Sequence, residues 1–371
     1  MSITSSLLEQ IKKGREGNNE GLPMGLPKLE GVIDGILPST YYLIASGTGN
    51  GKTSMVLYSF IYKPLMENIN TENFKIIYLS LEMKAEELFL KLLSIYIWET
   101  YGKEISYKEL LSRKKGYKLS DEDFKIVEEC TPWLNRLEEV VTVYDKTLNA
   151  DKMYAYLISE LSKYGSFEET ETRKIYVPNN PNRIILVVLD HILLLRKNKG
   201  RTKKEEIDLA SNYLITLRNR CGVSPVVVMQ TNRGATSMDR RKEGLSEFKL
   251  EDLKESGTPA DDSNVVLAIF NPSREKLASY RGYKVAKGLE DTLRSIICLK
   301  NRFGQSDLAI PVSFYGKCGV WKELPKAEEI NDYEPYLTID GKYKDKNINE
   351  EINKKQEIKN DFKMIMEIWQ N

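Results

Sequence analysis

The segment that most constrains this chain is a glycine-rich turn directly behind an apolar run. The run is Tyr41–Ala45, and residues 46–53 that follow it have the sequence Ser-Gly-Thr-Gly-Asn-Gly-Lys-Thr. Residues 54–57 then continue as the start of a helix. A buried strand, a glycine-rich turn and a helix in this order are typical of a P-loop, where backbone N–H groups and the positive helix end bind phosphate. The sequence therefore predicts a nucleoside triphosphate site.

Two side chains of this turn have a defined chemistry in such a loop. Lys52 is expected to reach the β- and γ-phosphates, and Thr53 to offer its hydroxyl to Mg²⁺. The usual pattern G-x-x-x-x-G-K-[ST] begins with glycine, whereas this chain has Ser46, which fits if that position keeps a negative φ. The predicted nucleotide-binding residues are Ser46, Gly47, Gly49, Gly51, Lys52, Thr53 and Ser54.

The composition argues against several classes of protein. The 371 residues include 55 Lys and Arg and 54 Asp and Glu, so no global basic field favours nucleic acid, and any DNA contact must be local. The four cysteines lack C-x-x-C spacing, which argues against a zinc site and a disulfide framework. No run of about eighteen apolar residues occurs, so we expect a cytoplasmic protein without a membrane partner.

Strand and helix patterns alternate along the chain. The most hydrophobic strand pattern, Ile184–Leu189, is a continuous run of the kind that is covered on both faces of a parallel sheet. Helical patterns follow several strand patterns, including residues 84–100 and 207–218. We therefore predict an α/β fold with a mostly parallel central sheet flanked by helices. Further strands are predicted at residues 74–80, 140–144, 225–229, 265–270, 295–299 and 310–314, and a surface loop or hairpin at 165–181.

Three polar residues end predicted strands or follow them closely. Ligands of parallel sheets gather at the carboxyl ends of the strands, so we expect Glu82, Asp190 and Gln230 to lie near the nucleotide. Asp190 closes its apolar run as a Mg²⁺-binding aspartate does. Glu82 is the candidate that polarises the attacking water, although an acid there also suits a helix start. Gln230 is either a sensor of the γ-phosphate or an ordinary loop residue.

Five motifs occur in a fixed order along the chain. They are Leu-Ser-Leu-Glu-Met at 79–83, Leu-Asp-His at 189–191, Gln-Thr-Asn-Arg at 230–233, Asp-Leu-Lys-Glu-Ser-Gly at 252–257 and Lys-Asn-Arg at 300–302. In this order they resemble the motor domain of DnaB-type hexameric replicative helicases, and the Asp-His pair is more similar to phage and mitochondrial members. The resemblance spans residues 25–321. It implies a RecA-like P-loop NTPase fold, ATP and Mg²⁺ as cofactors, a ring of subunits, and ATP-driven movement along single-stranded DNA in a host cytoplasm.

The resemblance also implies roles for individual residues. Glu82 is similar to the catalytic glutamate, Asp190 to the Mg²⁺ ligand beside Thr53, and Gln230 to the γ-phosphate sensor. Lys300 and Arg302 resemble the paired cations that reach the nucleotide of a neighbouring subunit, where an arginine supplied in trans stabilises transition-state charge. Without the resemblance, both would be interpreted as exposed residues at a strand end.

Candidate DNA contacts follow in the same way. The segment containing Lys254, Glu255 and Gly257 resembles the DNA-contacting loop of these helicases, and its backbone N–H groups can bind phosphates without sequence preference. Further candidates are Lys199 and Arg201 after the Asp190 strand and Arg233 after Gln230. Each of these basic clusters could equally be a solvated loop.

The chain divides by composition into three parts. Residues 1–24 are predicted to be a short amphipathic helix and a linker, and by analogy with the family this helix would contact the adjacent subunit. Residues 25–325 are predicted to be the ATPase and helicase domain, and residues 326–371 a polar tail with a terminal helical stripe. The large N-terminal domain of bacterial members is not expected here, so a primase or loader remains an open partner. Alternatives are a RecA-like recombinase filament and a nucleotide-gated loading factor that does not unwind DNA.

Overall fold

The computed structural model describes residues 3–17, 19–67, 70–113, 115–169, 174–231, 247–254 and 258–337. The helices of this part are α1 Ile3–Arg15, α2 Pro27–Ile33, α3 Lys52–Met55, α4 Lys63–Glu67, α5 Ala85–Tyr101, α6 Tyr107–Leu110, α7 Asp121–Glu129, α8 Thr131–Val140, α9 Ala150–Leu161, α10 Lys203–Cys221, α11 Glu251–Lys254 and α12 Pro259–Asp262. A π-helical segment, Val56–Tyr62, joins α3 to α4, and short 3₁₀ turns lie at Thr71–Asn73, Ile192–Leu194, Glu290–Thr292, Ala327–Glu329 and Glu334–Tyr336.

Nine strands form one sheet, and two small hairpins lie outside it. The strands of the sheet are β1 Tyr42–Ser46, β2 Phe74–Ser80, β3 Val141–Tyr144, β6 Ile184–Asp190, β7 Ser224–Gln230, β8 Val265–Phe270, β11 Leu293–Asn301, β12 Leu308–Tyr315 and β13 Val320–Glu323. The hairpins are β4 Gly165–Glu169 with β5 Lys174–Pro178, and β9 Ser279–Tyr280 with β10 Tyr283–Lys284. The first hairpin confirms the alternative predicted for residues 165–181.

The sheet has the order β13-β12-β11-β8-β1-β7-β6-β2-β3. From β8 to β3 every pairing is parallel, whereas β11, β12 and β13 are antiparallel to their neighbours. The sheet is therefore mostly parallel, as predicted, but its direction reverses at β11. The sequence patterns did not indicate this reversal, and β13 was not predicted at all.

The central strands bury both of their faces. Alternate residues point to opposite sides, so Tyr42 and Ile44 belong to one apolar cluster while Leu43 and Ala45 belong to the other. The first cluster packs against α2, α5, α8 and the P-loop helix region, and the second packs against α9 and α10. This sandwich of helices, sheet and helices explains the continuous apolar runs of the central strands.

The N-terminal helix α1 has a different environment. Its apolar side chains Ile3, Leu7, Leu8 and Ile11 are 82%, 53%, 63% and 60% exposed. The first contacts with the core come after this helix: Leu22 pairs with Ile36, and Met24 is fully buried. In the part of the chain that the structure describes, no helix combines the length and apolarity that a bilayer crossing demands.

Candidate nucleotide site

The carboxyl ends of four neighbouring strands form the floor of the site. Strands β1, β7, β6 and β2 are consecutive in the sheet and parallel. Their last residues pair across the ladder, Ser46 with Gln230 and Ser80 with Asp190. Because the strands end at the same edge, the P-loop, Asp190 and Gln230 converge there, and Glu82 follows two residues after β2. The sequence predicted this convergence.

The turn after β1 has the backbone that a phosphate-binding loop requires. Gly49 and Gly51 have φ values of 73° and 102°, in the left-handed region that favours glycine. Ser46 ends β1 and is not among the residues with positive φ, so a serine is tolerated there. A Cβ atom on Gly51 would lie 2.7 Å from the Trp321 ring, which stacks on Phe314 at a centroid distance of 4.3 Å. The aromatic pair therefore supports the turn from below.

Lys52 opens helix α3 and is almost buried. Its ammonium donates a hydrogen bond to the carbonyl oxygen of Gly47 at 3.0 Å, across the mouth of the turn. Burial lowers its pKa, and the nearby Asp190 and Glu82 carboxylates oppose that effect. An ammonium held over the turn by a single backbone carbonyl can exchange that contact for phosphate oxygens.

Asp190 is buried, and its two oxygens have different environments. Oδ2 accepts hydrogen bonds from the hydroxyls of Thr53 and Tyr78, both at 2.8 Å, whereas Oδ1 is buried without a hydrogen-bond partner among the described residues. Burial raises the pKa of this carboxyl, and the two hydroxyls act in the opposite direction. A carboxylate with a free oxygen beside a threonine hydroxyl is an oxygen donor set that suits Mg²⁺. The residues present therefore fit this ion.

The cleft above these residues has a volume of about 410 Å³. Its lining includes Glu82 and Gln230, so the structure places all the catalytic candidates of the P-loop edge around one space. Glu82 is exposed at the mouth, where a carboxylate can contact water. His191 also lines the cleft and is 8% exposed. A triphosphate-sized space bounded by a P-loop, a buried aspartate and an exposed glutamate can support phosphoryl transfer to water.

Sequence reasoning missed two cations that line this cleft, Lys91 and Arg294, and a third, Arg274, that contacts its glycine-rich turn. Arg274 donates a hydrogen bond to the Thr48 carbonyl, and its guanidinium lies against Gly49. Arg294 is 2% exposed and donates to the carbonyl oxygen of Asn50 at 3.4 Å. Burial lowers its pKa to about 10, although Asp291 acts in the opposite direction. Lys91 belongs to α5. The only available signal was a charged residue, Arg294, two positions before the apolar run at residues 296–299, because none of the three belongs to a motif.

Lys300 and Arg302 lie at the opposite edge of the sheet. Strand β11 is antiparallel to β8, and Asn301 pairs with Val265 at the amino end of the parallel strands. The Lys300 ammonium donates to the carbonyl oxygens of Ala260 and Asp261 at 3.0 and 2.7 Å, and Arg302 donates to that of Asp261 at 3.2 Å. Both cations are thus held at the end of α12, far from the cleft of their own chain.

Of the candidate DNA contacts, two basic side chains are fully described. Lys199 is exposed, and Arg201 forms an ion pair with Asp151 at 2.7 Å on the loop before α10. Lys254 ends helix α11. Arg233, Glu255 and Gly257 lie outside the described residues, as does the helical stripe predicted at the end of the chain. The structure thus brings Lys199 and Arg201 to the carboxyl edge of β6.

The fold and the cleft define a RecA-like P-loop protein. The chain overlays a solved structure described as an "ATPase Domain" with a TM-score of 0.66 and 18% identity, covering 87% of this chain and 99% of that one. It also overlays a structure described as "The Structure Of A DnaB-Like Replicative Helicase And Its Interactions With Primase", with a TM-score of 0.65 and 18% identity over 87% of this chain and 68% of that one.

Comparison of sequences identifies the family. Residues 21–323 match the family described as "DnaB-like helicase C terminal domain", and the chain belongs to it. The replicative DNA helicase DnaB of Mycoplasma genitalium is 23% identical over 275 residues, which are 73% of this chain and 50% of that protein. The DnaB of Rickettsia typhi is 25% identical over 279 residues, 73% of this chain and 49% of that protein. The chain thus spans about half the length of these curated relatives.

Proposed function

We propose that this chain is an ATP-dependent replicative DNA helicase that assembles as a ring, hydrolyses ATP between subunits and moves along single-stranded DNA. The observation that carries the proposal is the separation of the two halves of the site. The P-loop, Glu82 and Asp190 lie at the carboxyl edge of the sheet, whereas Lys300 and Arg302 lie at the amino edge. One copy cannot bring these halves together, but a head-to-tail ring of copies can.

Within one interface each residue has a defined task. Lys52 and the backbone of the turn bind the phosphates. Thr53 and Asp190 would hold Mg²⁺, which would supply positive charge beside the transferred phosphoryl group. Glu82 orients the attacking water, and Gln230 contacts the γ-phosphate. Arg302 of the adjacent copy, accompanied by Lys300, stabilises negative charge in the transition state.

The exposed helix α1 supports assembly by a second route. An isolated helix of 13 residues is marginal in water, and its apolar side chains gain free energy only when another surface covers them. A neighbouring copy is the surface we propose, and we propose six copies by analogy with the family. DNA would pass through the shared centre, close to Lys199, Arg201 and the segment beginning at Lys254. Primase or a loader remains a predicted partner.

The test is unwinding of a forked duplex by the purified chain with ATP and Mg²⁺. We expect unwinding by the wild type and none by Lys52→Ala, which loses the phosphate-binding ammonium. Glu82→Gln should not unwind either, because removal of a general base costs about 10²- to 10⁴-fold in rate. Closed rings in electron micrographs with ATP and single-stranded DNA support the helicase. Open filaments would favour a recombinase, and DNA-stimulated hydrolysis without unwinding would favour a loading factor. A lone monomer under these conditions would overturn the proposal.

A further inference from the structure

Lys91 stands out among the charged side chains of the cleft. It lies on α5, nine residues beyond Glu82, and lines the nucleotide cleft together with Lys52 and Asp190. It also borders a smaller adjoining cavity, where Ser54 and Gly316 are its neighbours. The side chain therefore lies between the start of the P-loop helix and the turn that joins β12 to β13.

The partners of Lys91 differ from those of the other lysines that are wholly or partly buried near the sheet. Lys63 and Lys322 both pair with Glu99, at 2.9 and 3.1 Å, and Lys52 donates to Gly47. Among the described residues no carboxylate or carbonyl oxygen lies within bonding distance of the Lys91 ammonium. Its recorded contact is the ring of Tyr107, 5.6 Å from the nitrogen to the centroid.

Such an arrangement carries a free-energy cost in the absence of a ligand. Removing an ammonium from water is unfavourable unless a counter-charge replaces the lost hydration, and a cation over a tyrosine ring recovers only part of it. Burial accordingly lowers the pKa of Lys91, while Asp190, Glu82 and Glu87 attract the ammonium from a greater distance. A cleft that holds such a cation is a place where an anion is stabilised.

We propose that Lys91 is a further phosphate-contacting residue of the cleft, which binds the anionic oxygens of a nucleoside triphosphate from the α5 side. The inference rests on the proposed function, because it assumes that a nucleotide occupies the P-loop. Lys52 contacts the phosphates from the turn and Lys91 from helix α5. A triphosphate with its Mg²⁺ keeps net negative charge, so it supplies the counter-charge that the chain itself does not.

The test compares nucleotide affinity among four proteins by titration with a fluorescent ATP analogue and Mg²⁺. Lys91→Met removes the charge at similar length, Lys91→Arg retains it, and Lys125→Met removes an exposed charge on α7 as the matched control. We expect Lys91→Met to raise the Kd about tenfold to a hundredfold, as loss of a charge-assisted hydrogen bond does. Lys91→Arg and Lys125→Met are expected to stay within about threefold of the wild type.

Thermal unfolding without nucleotide distinguishes a role of Lys91 in phosphate binding from a role in the stability of the fold. If Lys91 only supports α5 through Tyr107, Lys91→Met and Tyr107→Leu will both lower Tm and leave the Kd unchanged, and that result would overturn the proposal. If Lys91 contacts phosphate, Tyr107→Leu leaves the Kd near that of the wild type. Failure of the wild type to bind the analogue would instead refute the proposed function, so the two failures are distinguishable.

A measurement on the wild-type protein tests the proposal even if a Lys91 variant does not fold. Amine acetylation followed by mass spectrometry reports the reactivity of each lysine with and without ATP and Mg²⁺. We expect nucleotide to protect Lys91 at least as well as Lys52 and to leave Lys125 unaffected. Equal labelling of Lys91 in the two conditions, with Lys52 protected, would contradict the assignment.

Discussion

Lys52 and Arg302 of the same chain lie at opposite edges of the central sheet. Lys52 follows β1 at the carboxyl edge, whereas Arg302 follows β11, whose last residue pairs with the first residue of β8. The reversal of β11 relative to the parallel strands produces this arrangement. A residue placed in this way can complete a nucleotide site only in another copy of the chain.

Replacement of Arg302 by alanine is therefore expected to spare ATP binding and to reduce turnover by about a thousandfold. An equimolar mixture of Arg302→Ala and Lys52→Ala chains should regain activity, because roughly a quarter of randomly formed interfaces join an intact P-loop to an intact arginine. Steady-state hydrolysis at saturating ATP measures both effects. Wild-type turnover by Arg302→Ala alone would refute the role in trans.

The ion pairs of Glu99 are expected to make the stability of the fold depend on pH. Burial raises its pKa, but ion pairs with Lys322 and Lys63 outweigh burial and bring the pKa to about 2, below its ordinary value of 4.5. A carboxyl whose pKa is depressed by folding stabilises the native state above its unfolded pKa, and this contribution is lost as pH falls through the folded value. The loss should thus occur between about pH 4.5 and pH 2.

The variant Glu99→Gln tests this pair of ion contacts. At neutral pH it should destabilise the fold by about 3 kcal/mol. This value is the lower end of the range for a broken buried ion pair, because the two lysines that lose their counter-charge are only partly buried. The difference in Tm from the wild type should narrow as the pH is lowered through the acid range. Glu122→Gln is the control, since Glu122 is 85% exposed and its ion pair with Lys103 spans 3.9 Å. A Glu99→Gln protein as stable as the wild type at neutral pH would contradict the prediction.

Gly51→Ala should damage both binding and folding. The φ of 102° is strained for alanine, at a cost of about 1–3 kcal/mol, and the new methyl group would also press on Trp321. We expect a lower Tm and loss of nucleotide binding in titration. Gly31→Ala in α2 is the matched control, because nothing lies within 4 Å of the added atom. There the substitution should stabilise the helix by about 0.5–1 kcal/mol.

The variant Leu7→Ser with Leu8→Ser should reduce assembly and leave the fold intact. Both leucines are more than half exposed, so their loss changes no buried contact in one chain. Light scattering after size exclusion, with ATP and Mg²⁺, should show smaller species than for the wild type. Lys12→Ser, on the same helix, is expected to assemble normally. An unchanged mass for the double variant would exclude α1 from the subunit interface.

Much of the fold was accessible from local pattern. The strand predicted at residues 74–80 has those bounds in the structure, and the helix predicted at 84–100 is Ala85–Tyr101. Continuous β-branched runs and a 3.6-residue period are strong local signals. The direction of β11 depends instead on contacts distant in sequence. The four-residue strand β13, with Val320 and Trp321 buried and two polar residues after them, carries too short a pattern to be recognised.

The site residues also divide into those that local sequence motifs predict and those that depend on contacts distant in sequence. Residues within motifs, such as Thr53 and Asp190, were predicted and do meet, 2.8 Å apart. Arg294 and Lys91 were not predicted, because their proximity to the P-loop arises from the pairing of β11 with β8 and from the packing of α5. A lone basic residue in an amphipathic sequence usually marks a solvated face. Only three-dimensional proximity distinguishes these two residues from the many exposed lysines and arginines of the chain.

The exposure of α1 has a consequence for how the first residues fold. A helix of thirteen residues is only marginally stable alone in water, so in the proposed ring the helix–coil equilibrium of this segment would be set by the neighbouring copy that covers its leucines and isoleucines. Dilution should therefore melt it while the sheet stays intact, and the helical signal in far-ultraviolet circular dichroism should lose intensity in proportion. In the proposed assembly, the secondary structure content of a single chain thus depends on how many others surround it.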